Sequence, residues 1–228
     1  MGTARRFRGR IAGVGSASGV RVVVGWWTES PFGRFADAMV ERSDGHRVLL
    51  APTGQVAELV STTYTFDEVR IEPVDVDTVG DAGSAGSAGS AGSGGPARAD
   101  ERWQVRAVSL CLDLEIGGRT PLGRLLHLVP RPVAESPTFA TLADPVARMV
   151  LRGVRTRGTA RAGRREYYGA RDVRAVIALD GTFDGTPLGP LAPVDPPCRF
   201  GFSSTPRRPS VTTVTTTIVE GVDARARR

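Results

Sequence analysis

The sequence has no lysine at all, because its 30 basic residues are all arginine. That absence excludes Schiff-base chemistry, a phosphate-loop lysine and a lysine general base. Two histidines (His46, His127) and two cysteines (Cys111, Cys198) leave little for a transition-metal centre, which usually takes three or four such ligands. No Cys-x-x-Cys pair and no His-His spacing of three or four occurs, so no metal site is predicted. The longest apolar stretch, Val22 to Trp27, is broken by Gly25 and falls far short of the roughly 20 residues a membrane helix needs. The basic opening, Met1 to Arg10, has no apolar run behind it, so a cytoplasmic protein with reduced thiols is expected, with no membrane partner.

The charge that is present is uneven. Residues 1–78 are close to neutral, whereas 101–228 hold most of the positive excess behind the overall +6. Eight arginines fall between Arg152 and Arg174, interleaved with Tyr167 and Tyr168. Arginine beside aromatic rings is the mixture that single-strand nucleic-acid binders use. A solvated basic face explains the same residues, and no recognition-helix pattern accompanies them.

Four Ala-Gly-Ser triplets between Asp81 and Pro96 contain no large side chain. Such a tract cannot bury enough surface to offset its ordering entropy, so 79–101 reads as a flexible linker with a reach on the order of 25 Å. It divides the chain into a β lobe over 1–78 and a second lobe over 102–222, with a basic tail over 223–228. Long surface insertions cost little, so the tract also fits a hairpin loop inside one domain.

Outside the linker the dominant period is two. Val20 to Trp27 reads as a strand. Phe35–Glu41 and His46–Leu50 read as a hairpin about the Asp44-Gly45 turn. Phe66–Val76 alternates. Val105–Ile116 reads as one strand with Val108, Leu110, Leu112, Leu114 and Ile116 on one face. Arg164–Tyr168, Arg171–Leu179, Arg199–Ser203 and the threonine-rich Val211–Val219 follow. Three short helices are predicted, over 55–62 behind a Thr53 cap and over 137–143 and 145–151 behind Ser-Pro and Asp-Pro starts. A [Ser/Thr]-Pro-[Phe/Leu]-Gly-x-[Phe/Leu] pattern recurs at Ser30, Thr120 and Thr186 and reads as a strand corner. The expected fold is mainly β: an antiparallel barrel or two packed β lobes. Its likeness to lipocalin-like barrels is architectural and carries no function.

A curled sheet of about ten strands leaves an interior that side chains fill or a ligand occupies. The preferred reading is a binding protein for a hydrophobic or aromatic small molecule, with no cofactor. Trp26, Trp27, Tyr167 and Tyr168 are its candidate contacts, and Arg164 or Arg171 would pair with an anionic group. Adjacent aromatics on a strand face opposite sides, so one of each pair points inward. The alternative is a cofactor-free isomerase, cyclase or hydratase using Asp113, Glu115 or His127 in the cavity. Asp180 and Asp184 share a glycine-rich turn without a full calcium-loop ligand set. Cys198 after Pro196-Pro197 is a minor nucleophile candidate. Homo-oligomerisation stays open.

Overall fold

A computed structural model describes residues 4–80, 99–130, 157–159, 165–201 and 205–219. In chain order the elements are β1 (Ala4–Ser16), β2 (Arg21–Glu29), β3 (Phe35–Glu41), β4 (Arg47–Ala51), α1 (Gly54–Thr63), β5 (Glu68–Ile71), β6 (Val74–Gly80) and β7 (Glu101–Ala107). They continue with β8 (Leu110–Arg119), α2 (Pro121–His127), β9 (Arg157–Thr159), β10 (Arg165–Phe183), β11 (Thr186–Pro187), β12 (Leu191–Ala192) and β13 (Ser210–Val219). The fold is mainly β, a curled half-barrel.

The strands form one sheet in the order β5-β4-β3-β2-β1-β13-β10-β8-β7-β6. Strands from both sides of the Ala-Gly-Ser tract therefore share it. All pairs are antiparallel except β4 and β5, which run parallel on either side of α1. The curl follows from one corner. Glu72-Pro73 alone separates β5 at one edge from β6 at the other, so the two edges must lie within roughly 11 Å of chain reach there. Proline cannot donate a ladder hydrogen bond and suits such a break. The predicted single strand over 66–76 is thus two strands on opposite edges.

Side chains seal this seam. Buried Glu72 accepts from the Ser109 backbone N–H at 3.0 Å and from Ser109 Oγ at 2.9 Å. Arg70 and Arg42 both grip the Asp184 carboxylate, and both guanidiniums lie over the Phe183 ring. Ser109 sits at a turn the sequence reading missed. Val105–Ile116 is the end of β7 and most of β8, with Val108 at the tip and 83% exposed. No glycine, proline or asparagine marks this turn, and the apolar spacing runs through it.

The inner face carries the main core. Val22 and Val24 of β2, and Ala36, Ala38 and Val40 of β3, meet Leu112, Leu114 and Ile116 of β8 across the curl. Trp103 is fully buried among them. Each such aliphatic side chain contributes about 1.5–3 kcal/mol by leaving water. Space that the sequence reading offered to a ligand is filled by side chains along these strands.

β1 was not predicted, because arginines at positions 6, 8 and 10 mask its alternation. Arg10 is held by a bidentate pair to Glu101 at 2.6 and 2.7 Å, and its guanidinium stacks on Trp103. Arg164–Tyr168 and Arg171–Leu179 fall in one 19-residue strand, β10, apart from Arg164, which lies outside the described residues. Arg199–Gly201 is not strand, and residues 202–203 of that prediction lie outside the described set. Thr120 and Pro121 open α2, with Thr120 Oγ1 accepting from the Gly123 N–H, so the second repeat is a helix start. The first repeat is a turn with Gly33 at φ 79°, and the third runs from β11 to the start of β12 through Gly189 at φ 74°. The predicted helices over 137–143 and 145–151 lie outside the described residues, as does the 223–228 tail.

Gly80 pairs with Glu101 at the end of the β6–β7 hairpin, so the Ala-Gly-Ser tract joins two neighbouring strands. Closing a loop depends only weakly on its length. Replacing 81–98 by a turn of about four residues is therefore expected to raise stability by only about 1.3 kcal/mol in urea denaturation. A loss of several kcal/mol would show that the tract itself packs.

Candidate functional site

The outer face of the sheet is apolar too, beneath α1. In β3 the side chains alternate: Ala36, Ala38 and Val40 face the core, while Phe35, Asp37 and Met39 face outward. β2 presents Val23, Gly25 and Trp27 beside them, and β1 adds Phe7 and Ile11. α1 forms above this floor because Thr53 caps it, its Oγ1 accepting from the Val56 N–H, and because Val56, Ala57 and Leu59 bury one side of it. Leu59, Val60 and Thr63 close the roof, and Thr216 and Ile218 of β13 with Tyr168 of β10 complete the wall.

Between helix and sheet lies a partly open cleft of about 80 Å³. That is roughly half of an engineered apolar cavity of about 150 Å³ that holds benzene. A space of that size would enclose only part of a benzene-sized molecule.

Asp37 is the unusual residue. It is 5% exposed, and Trp27 Nε1 donates to its Oδ1 at 2.9 Å. Burial raises its pKa from the ordinary 3.8 to about 7, against a smaller lowering by the Trp27 hydrogen bond. No arginine or histidine lines the cleft among the described residues. Near neutral pH this carboxyl can accept a hydrogen bond, exchange a proton or meet a cation.

The pair is seated on Gly25. A Cβ at that position would stand 2.6 Å from Asp37 Oδ1 and 2.7 Å from Trp27 Nε1, so only glycine lets both groups lie over the strand. Phe7 packs edge-on to Trp27 with centroids 5.9 Å apart, and Phe35 lies 6.4 Å away on the other flank. The Tyr64 and Tyr168 hydroxyls hydrogen-bond to each other. Thr216 Oγ1 is buried with no hydrogen-bond partner. A buried unsatisfied hydroxyl costs about 1–3 kcal/mol, which a polar ligand atom would recover.

The structure brings two predicted contacts together, Trp27 and Tyr168. Trp26 faces the opposite side, edge-on to Trp103 at 5.6 Å, and serves the core. Tyr167 is half-buried and, as the strand neighbour of Tyr168, belongs to the other face. Arg171 sits at the β10 bulge between Ala170 and Asp172 and does not line the cleft. Of the basic stretch, Arg174 binds Asp100 and Glu101, while Arg152, Arg155, Arg161 and Arg164 lie outside the described residues.

The predicted acids are elsewhere. Asp113 accepts from Arg106 Nη2 at 2.8 and 3.1 Å, and Glu115 from Arg102 at 2.8 Å, on the half-exposed outer positions of β8. Neither enters the cleft. His127 ends α2 and is exposed, so it enters no cavity, correcting its reading as a cavity residue. Asp184 is held below the usual carboxylate range by the Arg70 hydrogen bond, with Arg42 adding to it. The nucleophile candidate Cys198 is buried against Val23 and Phe200. Neither cysteine is in a disulfide, and no three potential metal ligands converge among the described residues.

The sequence reading missed Asp37. Its signal was a lone acid in Phe35-Ala-Asp-Ala-Met-Val, in a strand whose residues on both sides are apolar. Aspartate is depleted in strands, so one inside such a run asks for a reason.

Comparison with protein-family models, curated proteins and solved structures finds no match to this chain. Among the described residues no helix is long and apolar enough to cross a membrane.

Proposed function

We propose that this chain is a binding protein for a small, largely apolar molecule, and that the ligand enters the cleft between α1 and the outer face of β1, β2 and β3. The single observation that carries this reading is an apolar, partly open cleft holding polar groups with unused capacity. Asp37 takes one described hydrogen bond and Thr216 Oγ1 takes none. Folding alone would favour apolar residues at such positions. Apolar walls with a few convergent polar groups are the usual make-up of a small-molecule site.

A thermal-shift titration with toluene, indole and 1-naphthol tests it. A ligand at 100 times its dissociation constant stabilises the native state by about 2.7 kcal/mol, an easily resolved rise in melting temperature. The rise is expected to saturate and to disappear in Gly25→Ala, whose added methyl displaces Trp27 and Asp37. No saturable rise with any of the three would overturn the reading.

A further inference from the structure

We propose that the ligand carries a positively charged nitrogen, bound by the Asp37 carboxylate and faced by the aromatic wall of the cleft. This rests on the binding role proposed above and names the chemistry of its ligand.

A buried carboxyl has three ways to be tolerated: a counter-charge, several hydrogen bonds, or a retained proton. The described structure supplies no counter-charge. β1 offers Phe7 and Ile11 to the cleft, β13 offers Thr216 and Ile218, and α1 offers Leu59, Val60 and Thr63. None of these ionises. Tyr64 and Tyr168 are the only other titratable groups among the described lining residues, and their hydroxyls meet each other. Hydrogen bonding is limited to the Trp27 indole. Below about pH 7 the empty site therefore keeps its proton, and above it the carboxylate stands without a counter-charge that a cation would supply.

The walls suit the same guest. Trp27 touches the carboxyl, with Phe7 and Phe35 packed on its ring, and aromatic faces attract a desolvated ammonium by about 2 kcal/mol or more. An anion would meet Asp37 with no described arginine beside it. A neutral alcohol would leave the carboxyl protonated and the electrostatics unused.

Benzylamine, benzyl alcohol, benzoate and toluene share one ring and differ only in head group, so their affinities isolate this claim. Measured by calorimetry or ligand-observed NMR at about pH 8, benzylamine is expected to bind about tenfold or more tighter than benzyl alcohol, with benzoate weakest. Asp37→Asn keeps the shape and is expected to remove that preference while toluene still binds. In the unaltered protein, benzylamine affinity is expected to fall by up to about tenfold per pH unit as Asp37 regains its proton below about pH 7, with toluene unaffected.

Equal affinity for benzylamine and benzyl alcohol would overturn the proposal and leave the binding role standing, as would a preference that survives Asp37→Asn. No binding of any of the four would remove both.

Discussion

Asp37→Asn is expected to stabilise the protein at about pH 8 by roughly 4 kcal/mol and to leave it unchanged at about pH 4. The sign follows from where the proton sits. Burial raises the folded-state pKa to about 7 from 3.8. Between those values the native state holds a proton that the unfolded chain has released, so stability is full below the lower value and declines as pH rises to the upper one. Three pKa units correspond to about 4 kcal/mol. Asparagine has no such titration and keeps an oxygen for the Trp27 indole, so its profile lacks the decline. Arginine hydrogen bonds hold Asp67, Glu68 and Asp184 low, and these groups give both proteins the same loss of stability in acid. The difference between the two urea-denaturation profiles therefore isolates Asp37. Parallel profiles between about pH 4 and 8 would show that the carboxyl is not buried as described.

Glu41→Ala is expected to cost about 3–5 kcal/mol, because it strands a buried charge. Glu41 is fully buried and pairs across the β2–β3 ladder with Arg21, their groups 3.0 Å apart. It also accepts from the Arg199 backbone N–H at 2.7 Å and from Arg199 Nε at 3.0 Å. Arg21 continues to the Pro196 carbonyl. This cluster fastens the segment around Arg199 to the sheet, and Val194, Cys198 and Phe200 in that segment pack on Val23. Removing the carboxylate leaves Arg21, 5% exposed, without its anion. The double variant Glu41→Leu with Arg21→Met removes both charges and is expected to recover most of the loss. A single variant that loses less than about 1 kcal/mol in urea denaturation would contradict the assigned role.

How much was legible depended on whether a feature is written locally. The Asp44-Gly45 turn and the Thr53 cap are short-range signals, and β3, β4 and α1 lie where they indicate. The β-branched run at Val211 marked β13 equally well. Trp26 and Trp27 do face opposite sides, as strand alternation requires. Which of the two faces a cavity is not a local property. It depends on α1 folding back over β3 and on β10 and β13 arriving from the far half of the chain. The same non-locality hid the site acid. Asp113 and Glu115 stood out by their spacing, yet cross-strand arginines on β7 occupy both. Among the described residues Asp37 has no arginine partner: its cross-strand neighbour on β2 is Gly25, and the group beside it is the Trp27 indole.

On the proposed binding role, ligands enter under α1 and leave the curled interior untouched. The chain has three tryptophans, and they divide between these two places. Trp27 lines the cleft, whereas Trp26 packs against the core and Trp103 is buried within it. Indole N–H resonances of a ¹⁵N-labelled sample, followed while an aromatic probe such as indole is added, read both at once. The Trp27 signal is expected to move and saturate while those of Trp26 and Trp103 stay in place. Movement of Trp26 and Trp103 with Trp27 unchanged would contradict it.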